Sequence, residues 1–140
     1  MTTKFLLDTS VVSETRKLGR ANRGVRAWIS SVQGDELCVS VLLFGEIRQG
    51  VERLRPRDPE QARVYDDWLA GLARVFEGRT LEITAENAEV WGRMNAPEPL
   101  PAIDSLMAAQ AVSRGLTVVT GNPRDFERTG ARVIDPFERE

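Results

Sequence analysis

The sequence contains no histidine and a single cysteine, Cys38. Without imidazole, Ser-His-Asp and Cys-His catalysis, histidine-ligated zinc or haem, and histidine proton transfer are all excluded. One thiol makes neither an internal disulfide nor a Cys-x-x-Cys motif. Within the largely apolar run Leu37–Phe44 it reads as a small buried hydrophobe. That run is the longest of its kind and falls well short of the ~18 residues that span a bilayer. The stretch Phe5-Leu6-Leu7 stops at Asp8, short of the ~7–15 apolar residues of an export signal. A soluble, cytoplasmic protein with no membrane segment is expected. Excess charge of one sign is also missing: 19 Lys and Arg oppose 21 Asp and Glu, a net of −2. Bulk charge therefore excludes a polybasic nucleic-acid binder, while leaving room for a local basic patch. Carboxylates, hydroxyls, arginines and any metal that carboxylates can hold remain for chemistry.

At 140 residues and 41% apolar content, the chain suits one domain with one core. No repeat, low-complexity tract or linker argues for a second, so a single domain over residues 1–140 is expected. Short apolar runs alternate with helical periodicity. Strands are predicted at Lys4–Leu7, Leu37–Val39, Leu81–Ile83, Thr117–Val119 and Arg132–Ile134. A first helix is expected from near Val11, capped by the polar group Asp8-Thr9-Ser10, and a second over Val25–Val32. Ser40 caps a helix with Leu43, Ile47, Val51 and Leu54 on one face. Glu60–Phe76 carries Val64, Trp68, Leu72 and Val75 at helical spacing, Thr84 opens the next helix, and Ala102–Arg114 ends at Gly115. This alternation predicts an α/β fold: a short central parallel sheet flanked by helices on both faces. Ligands in such folds gather at the carboxyl ends of strands, near the reversal of strand order.

Carboxylates cluster at those strand ends. Asp8 follows the first strand directly, and Glu46 lies one and a half turns into the helix leaving the second. Asp104 sits in the first turn of the helix that begins near Pro101, where the helix dipole favours an ionised acid. Asp125 comes shortly after the strand Thr117–Val119. Singly, each has an ordinary explanation as cap, surface charge or Asx-turn. Together at one edge of a parallel sheet they would repel, and a divalent cation is the simplest remedy. An all-oxygen set selects Mg²⁺ or Mn²⁺ over zinc.

Four segments in order carry a resemblance. Leu6-Leu-Asp-Thr-Ser-Val-Val-Ser13, Ser40-Val-Leu-Leu-Phe-Gly-Glu-Ile-Arg-Gln-Gly50, Pro101-Ala-Ile-Asp-Ser-Leu-Met-Ala-Ala109 and Val118-Val-Thr-Gly-Asn-Pro-Arg-Asp-Phe126 resemble the successive motifs of PIN-domain ribonucleases. Within that family the likeness is to the VapC type, the toxin half of VapBC toxin–antitoxin pairs, including its FitB-like branch. The resemblance implies a PIN-like fold and a Mg²⁺ site, in which Mn²⁺ would substitute, made by Asp8, Glu46, Asp104 and Asp125. Asp8 and Asp104 would be the most direct ligands. Thr9, Ser10, Thr120 and Asn122 would contact water or substrate. It further implies a homodimer, a cognate VapB/FitA-like antitoxin, an RNA substrate such as tRNA or rRNA, and operator DNA reached only through the antitoxin. Two positions depart from the pattern. Ser10 stands where many members carry Asn, and Thr120-Gly-Asn122 replaces the commoner Thr-Arg-Asn, removing a cation. Some members place an acid where Asn122 sits, so either Asn122 or Asp125 is left to face the metal.

Phosphodiester hydrolysis needs an activated water and neutralisation of developing charge, both within reach of carboxylate-held Mg²⁺. Arg16, Lys17, Arg20, Arg23 and Arg26 face only Glu14 over the same stretch, a basic patch suited to RNA phosphates. Trp28, Trp68 and Trp91 fall in apolar helical stripes and are assigned to packing. A phosphatase of the haloacid dehalogenase type fits worse. It needs a second Asp where Ser10 stands and a positioned Lys, whereas only Lys4 and Lys17 exist. The remaining alternative is a FitB-like component of a DNA-binding repressor complex with little nuclease activity of its own.

Overall fold

The computed structural model describes residues 3–139. Five strands, β1 (Phe5–Leu7), β2 (Leu37–Ser40), β3 (Thr80–Leu81), β4 (Thr117–Val119) and β5 (Arg132–Ile134), form one sheet in the order β3-β2-β1-β4-β5. Every pairing is parallel, with Leu6 opposite Cys38 on one side and Val118 on the other. Parallel neighbours need crossovers, and these are helices: α1 (Thr9–Thr15), α2 (Arg23–Ser30), α3 (Val41–Leu54), α4 (Pro59–Val75), α5 (Ala85–Asn95) and α6 (Ala102–Arg114). The chain leaves β1 toward β2 and later returns to place β4 on its other edge. Strand order therefore reverses at β1 and β4.

The alternation of side chains along a strand divides the core in two. Leu7, Val39 and Val119 point to one face and pack with Val11 and Val12 of α1, Val25 of α2, Leu43 and Ile47 of α3, and Leu72 of α4. Leu6, Cys38 and Val118 point to the other, against Met107, Ala108 and Ala111 of α6. The small residues of α6 let its backbone lie close to the sheet, and Trp91 Nε1 of α5 donates to Ser105 Oγ of α6 at 3.0 Å. Helices thus cover both faces, as the alternation of elements predicts.

Local chemistry explains most boundaries. Ser40 Oγ accepts the Leu42 N–H at 3.0 Å to start α3, and Thr84 with Asn87 forms a reciprocal cap at the start of α5. Gly115 closes α6 in the left-handed conformation, with φ 68°. β3 lies earlier than the predicted Leu81–Ile83. Its ladder to β2 reaches only Thr80 and Leu81, and the buried Gln110 Nε2 then takes the carbonyls of Leu81 and Glu82. The face of α3 follows the pattern and that of α4 departs from it. Leu43, Ile47 and Val51 are consumed in the chain's own core, whereas Val64 and Val75 are exposed. Among the described residues no helix is long and apolar enough to cross a membrane.

Candidate functional site

β1 gives out at Leu7, and the Asp8 N–H is held by the Val119 carbonyl of β4 at 2.9 Å. Asp8 is 7% exposed and occupies the N-cap position of α1, which starts at Thr9 rather than near Val11. Its backbone carbonyl accepts from Val11 and Val12, but its carboxylate caps nothing. Instead Asp8 Oδ2 accepts from Thr120 Oγ1 at 2.7 Å and from Ser10 Oγ at 3.1 Å. A nearly buried carboxylate needs such donors, because its desolvation is otherwise uncompensated.

The loop after β4 is tied to the same place. Thr120 is fully buried, and its hydroxyl accepts the Asn122 N–H at 3.0 Å. The Gly121 N–H donates to Ser10 Oγ at 3.0 Å. Ser10 thus serves Asp8 and the loop together. Sequence reading missed what lies behind this loop. A Cβ on Gly121 would meet the Phe137 ring at 2.5 Å, and Arg139 Nη2 donates to the Gly121 carbonyl at 2.7 Å. Arg139 also pairs with Asp135 and lies over the Phe137 ring. Asn22, which caps α2, grips the same segment, donating to the Glu138 carbonyl and accepting from its N–H. The one sequence signal is Gly121 itself, a departure from the Thr-Arg-Asn of the motif that this segment resembles.

Glu46 is half-buried on α3 and accepts from Thr9 Oγ1 at 2.7 Å. Asp104 is half-buried in the first turn of α6. Its carboxyl is pushed up to about 6, first by burial and then by the charges of Asp8, Asp125 and Glu46. One carboxylate therefore senses the other three. Asp125 is exposed on a short 3₁₀ turn, Pro123–Phe126, and its N–H donates to the Asn122 carbonyl at 3.1 Å. Asn122 is exposed, and its side chain does not cap that turn. Of these two neighbours only Asp125 contributes charge toward Asp104. Among the described residues, no three acid or thiol side chains stand in ready-made ligand geometry. The donor set is all oxygen and mutually repulsive, and in that respect it fits a hard divalent cation.

Other candidates resolve into structure. Cys38 is fully buried and its thiol is pushed up to about 11 by desolvation, so it is no nucleophile. Trp28 meets Phe5 edge-on at 5.0 Å between ring centroids. The basic patch is partly spent within the fold: Lys17 pairs with the buried Glu14 at 2.7 Å, and Arg23 with Glu138 at 3.6 Å.

A family model described as PIN domain matches residues 5–132. The chain is 31% identical to the tRNA(fMet)-specific endonuclease VapC of Shigella flexneri, over 91% of this chain and 92% of that protein. It is 29% identical to VapC ribonuclease Y4jK of Sinorhizobium fredii, over 96% and 98%. Among solved structures, FitAcB from Neisseria gonorrhoeae superposes with a TM-score of 0.83 at 27% identity, covering 94% of this chain and 97% of that one. DNA-bound VapBC from Salmonella typhimurium gives 0.78 at 28% identity, over 96% and 98%.

Proposed function

This chain belongs to the PIN domain family, and on that footing we propose that it is a Mg²⁺-dependent endoribonuclease, the toxin of a type II toxin–antitoxin pair. Residues 1–140 would form its single PIN domain. The observation that carries the reading is the nearly buried Asp8 carboxylate at the reversal of strand order, held by Thr120 and Ser10 rather than capping α1, while burial and the charges of Asp8, Asp125 and Glu46 raise the Asp104 carboxyl. Like charges brought to one strand-end edge, where α/β folds place ligands, are a preparation for a cation rather than a contribution to stability.

Asp8, Asp104, Glu46 and Asp125 are proposed to hold the metal, with Asp8 and Asp104 the most direct ligands. Bound there, Mg²⁺ or Mn²⁺ supplies Lewis acidity and charge neutralisation at phosphate and water oxygens. The chain's own residues do the rest. Thr120 and Ser10 fix Asp8 by donating to Oδ2, and among the described residues no hydrogen bond engages its other oxygen. Thr9 fixes Glu46 in the same way. The carboxylates would also orient an attacking water, and one of them would accept its proton. Asn122 stands on the loop beside them for contact with substrate.

The relatives named as VapC act on RNA, one of them on tRNA(fMet), and tRNA or rRNA is the substrate class proposed here. The solved relatives are complexes, one of them on DNA. A VapB/FitA-like antitoxin is therefore the proposed partner, with operator DNA contacted through it and a homodimer as the unit. Those complexes also favour a second reading, a repressor component with little nuclease activity. Incubating the isolated chain with total tRNA and rRNA, with Mg²⁺ and with chelator, separates the two. Metal-dependent, site-restricted cleavage lost in Asp8→Asn supports the nuclease. No cleavage, with operator binding alongside the antitoxin, supports the repressor.

A further inference from the structure

We propose that the pocket between α1, α3 and α4 is a nucleobase subsite, taking one unpaired base next to the phosphodiester presented to the carboxylates. This rests on the ribonuclease reading above. The pocket holds about 300 Å³, at the small end of ligand sites, and Thr9, Ser13, Arg16, Glu46, Tyr65 and Trp68 line it. Thr9 and Glu46 belong to the carboxylate site as well, so the pocket and that site share a wall. A nucleotide entering one lies beside the other.

Its distinguishing residue is Arg16. The guanidinium lies 4.6 Å from the Tyr65 ring centroid and 5.9 Å from that of Trp68. Among the described residues it makes no hydrogen bond or ion pair, although its neighbour Lys17 is neutralised by Glu14. An arginine kept on an aromatic platform, with its donors unused, suits a ligand with both a flat face and a negative charge. Bases stack on guanidinium planes as they do on aromatic rings, and phosphates take the remaining N–H groups. Single-stranded RNA presents both features at each nucleotide. A basic side chain from a protein partner is drawn to the acids but repelled by Arg16. The pocket sets Arg16 beside Glu46, whereas the carboxylate site carries acids alone, so the pocket is the part that offers a cation to nucleic acid.

The test uses the whole chain in chelator, so that no bond is cut, titrated with single-stranded hexaribonucleotides and followed by tryptophan fluorescence. In a matched series one sugar at a time lacks its base. Binding should fall at least fivefold for the base lost at one position of the series. That sensitivity should vanish in Arg16→Gln and Tyr65→Leu and persist in Tyr65→Phe, which keeps the ring and controls for folding. Equal binding of every abasic oligomer overturns the proposal. So does sensitivity unchanged in Arg16→Gln and Tyr65→Leu, which puts the base elsewhere. If those variants weaken only the antitoxin complex, the pocket belongs to the protein partner and the proposal is wrong. Cleavage is scored separately with Mg²⁺ and RNA. Base-dependent binding without any cleavage leaves the subsite standing and removes the nuclease reading, while cleavage without base-dependent binding does the reverse.

Discussion

Phe137 occupies the space in which a side chain on Gly121 would begin: a Cβ there would lie 2.5 Å from the ring. Gly121 lies between Thr120, which holds Asp8, and Asn122, so the segment after β5 backs the site loop directly. Gly121→Ala must displace either the ring or the loop, and should destabilise the fold by about 1–3 kcal/mol while lowering RNA cleavage. Phe137→Ala removes the obstacle, so the double variant should be more stable than the two single losses predict. Urea unfolding of the four proteins checks this. Additive losses, or a neutral Gly121→Ala, would show that the ring does not constrain the loop.

Repulsion among the acids gives opposite effects on stability and activity. Burial and three neighbouring carboxylates raise the Asp104 carboxyl to about 6, so the folded state holds a proton that the unfolded chain releases near 4. Stability from this group is greatest below the unfolded value and falls as pH rises through 4 to 6. Asp104→Asn should remove that slope and stabilise the metal-free protein near neutral pH by about 1–2 kcal/mol, since solvent screening reduces the full linkage value. RNA cleavage by Asp104→Asn and Asp8→Asn should drop on the order of 100-fold or more, with Mg²⁺ binding weakened. Thermal unfolding across pH, with and without Mg²⁺, measures the first part. Wild-type cleavage in either variant would remove that residue from the metal site.

An acidic, half-open site invites a cationic plug. The antitoxin should insert an Arg or Lys among Asp8, Glu46, Asp104 and Asp125, in place of the metal. Changing that residue to Glu should release nuclease activity while the rest of the complex stays assembled. Inhibition that survives the change, or an inhibitory segment bound far from these acids, argues for a different mode of control.

The missing histidines bear on the products. Many metal-independent ribonucleases use the RNA 2′-OH as nucleophile and rely on imidazole to move its proton, and this chain has none. Carboxylates and a divalent cation suit attack by water instead. Cleavage should leave 5′-phosphate and 3′-OH ends, and a single 2′-deoxy sugar at the scissile position should still be cut. Chelation should stop the reaction and Mn²⁺ should restore it as well as Mg²⁺. Cyclic 2′,3′-phosphate products, or full activity in chelator, would falsify this mechanism.

Periodicity and capping are local, and the sequence alone determined what depends on them. Alternating apolar runs dictated the parallel α/β sheet with helices on both faces. Ser40, Thr84 and Gly115 marked helix ends because a cap acts within one turn of its own residue. The absence of imidazole confined chemistry to carboxylates, and an acid next to a strand end marked Asp8. What Asp8 does there was decided by tertiary structure. Sequence proximity made its carboxylate a plausible cap for α1, yet it accepts from Thr120, 112 residues away, because β4 is laid beside β1 in the sheet. The same holds for the exposure of Val64 and Val75, the aromatic seat of Arg16, and the ring behind Gly121. Each depends on which distant elements become neighbours, and strand order, which no stretch of four residues encodes, sets those neighbours.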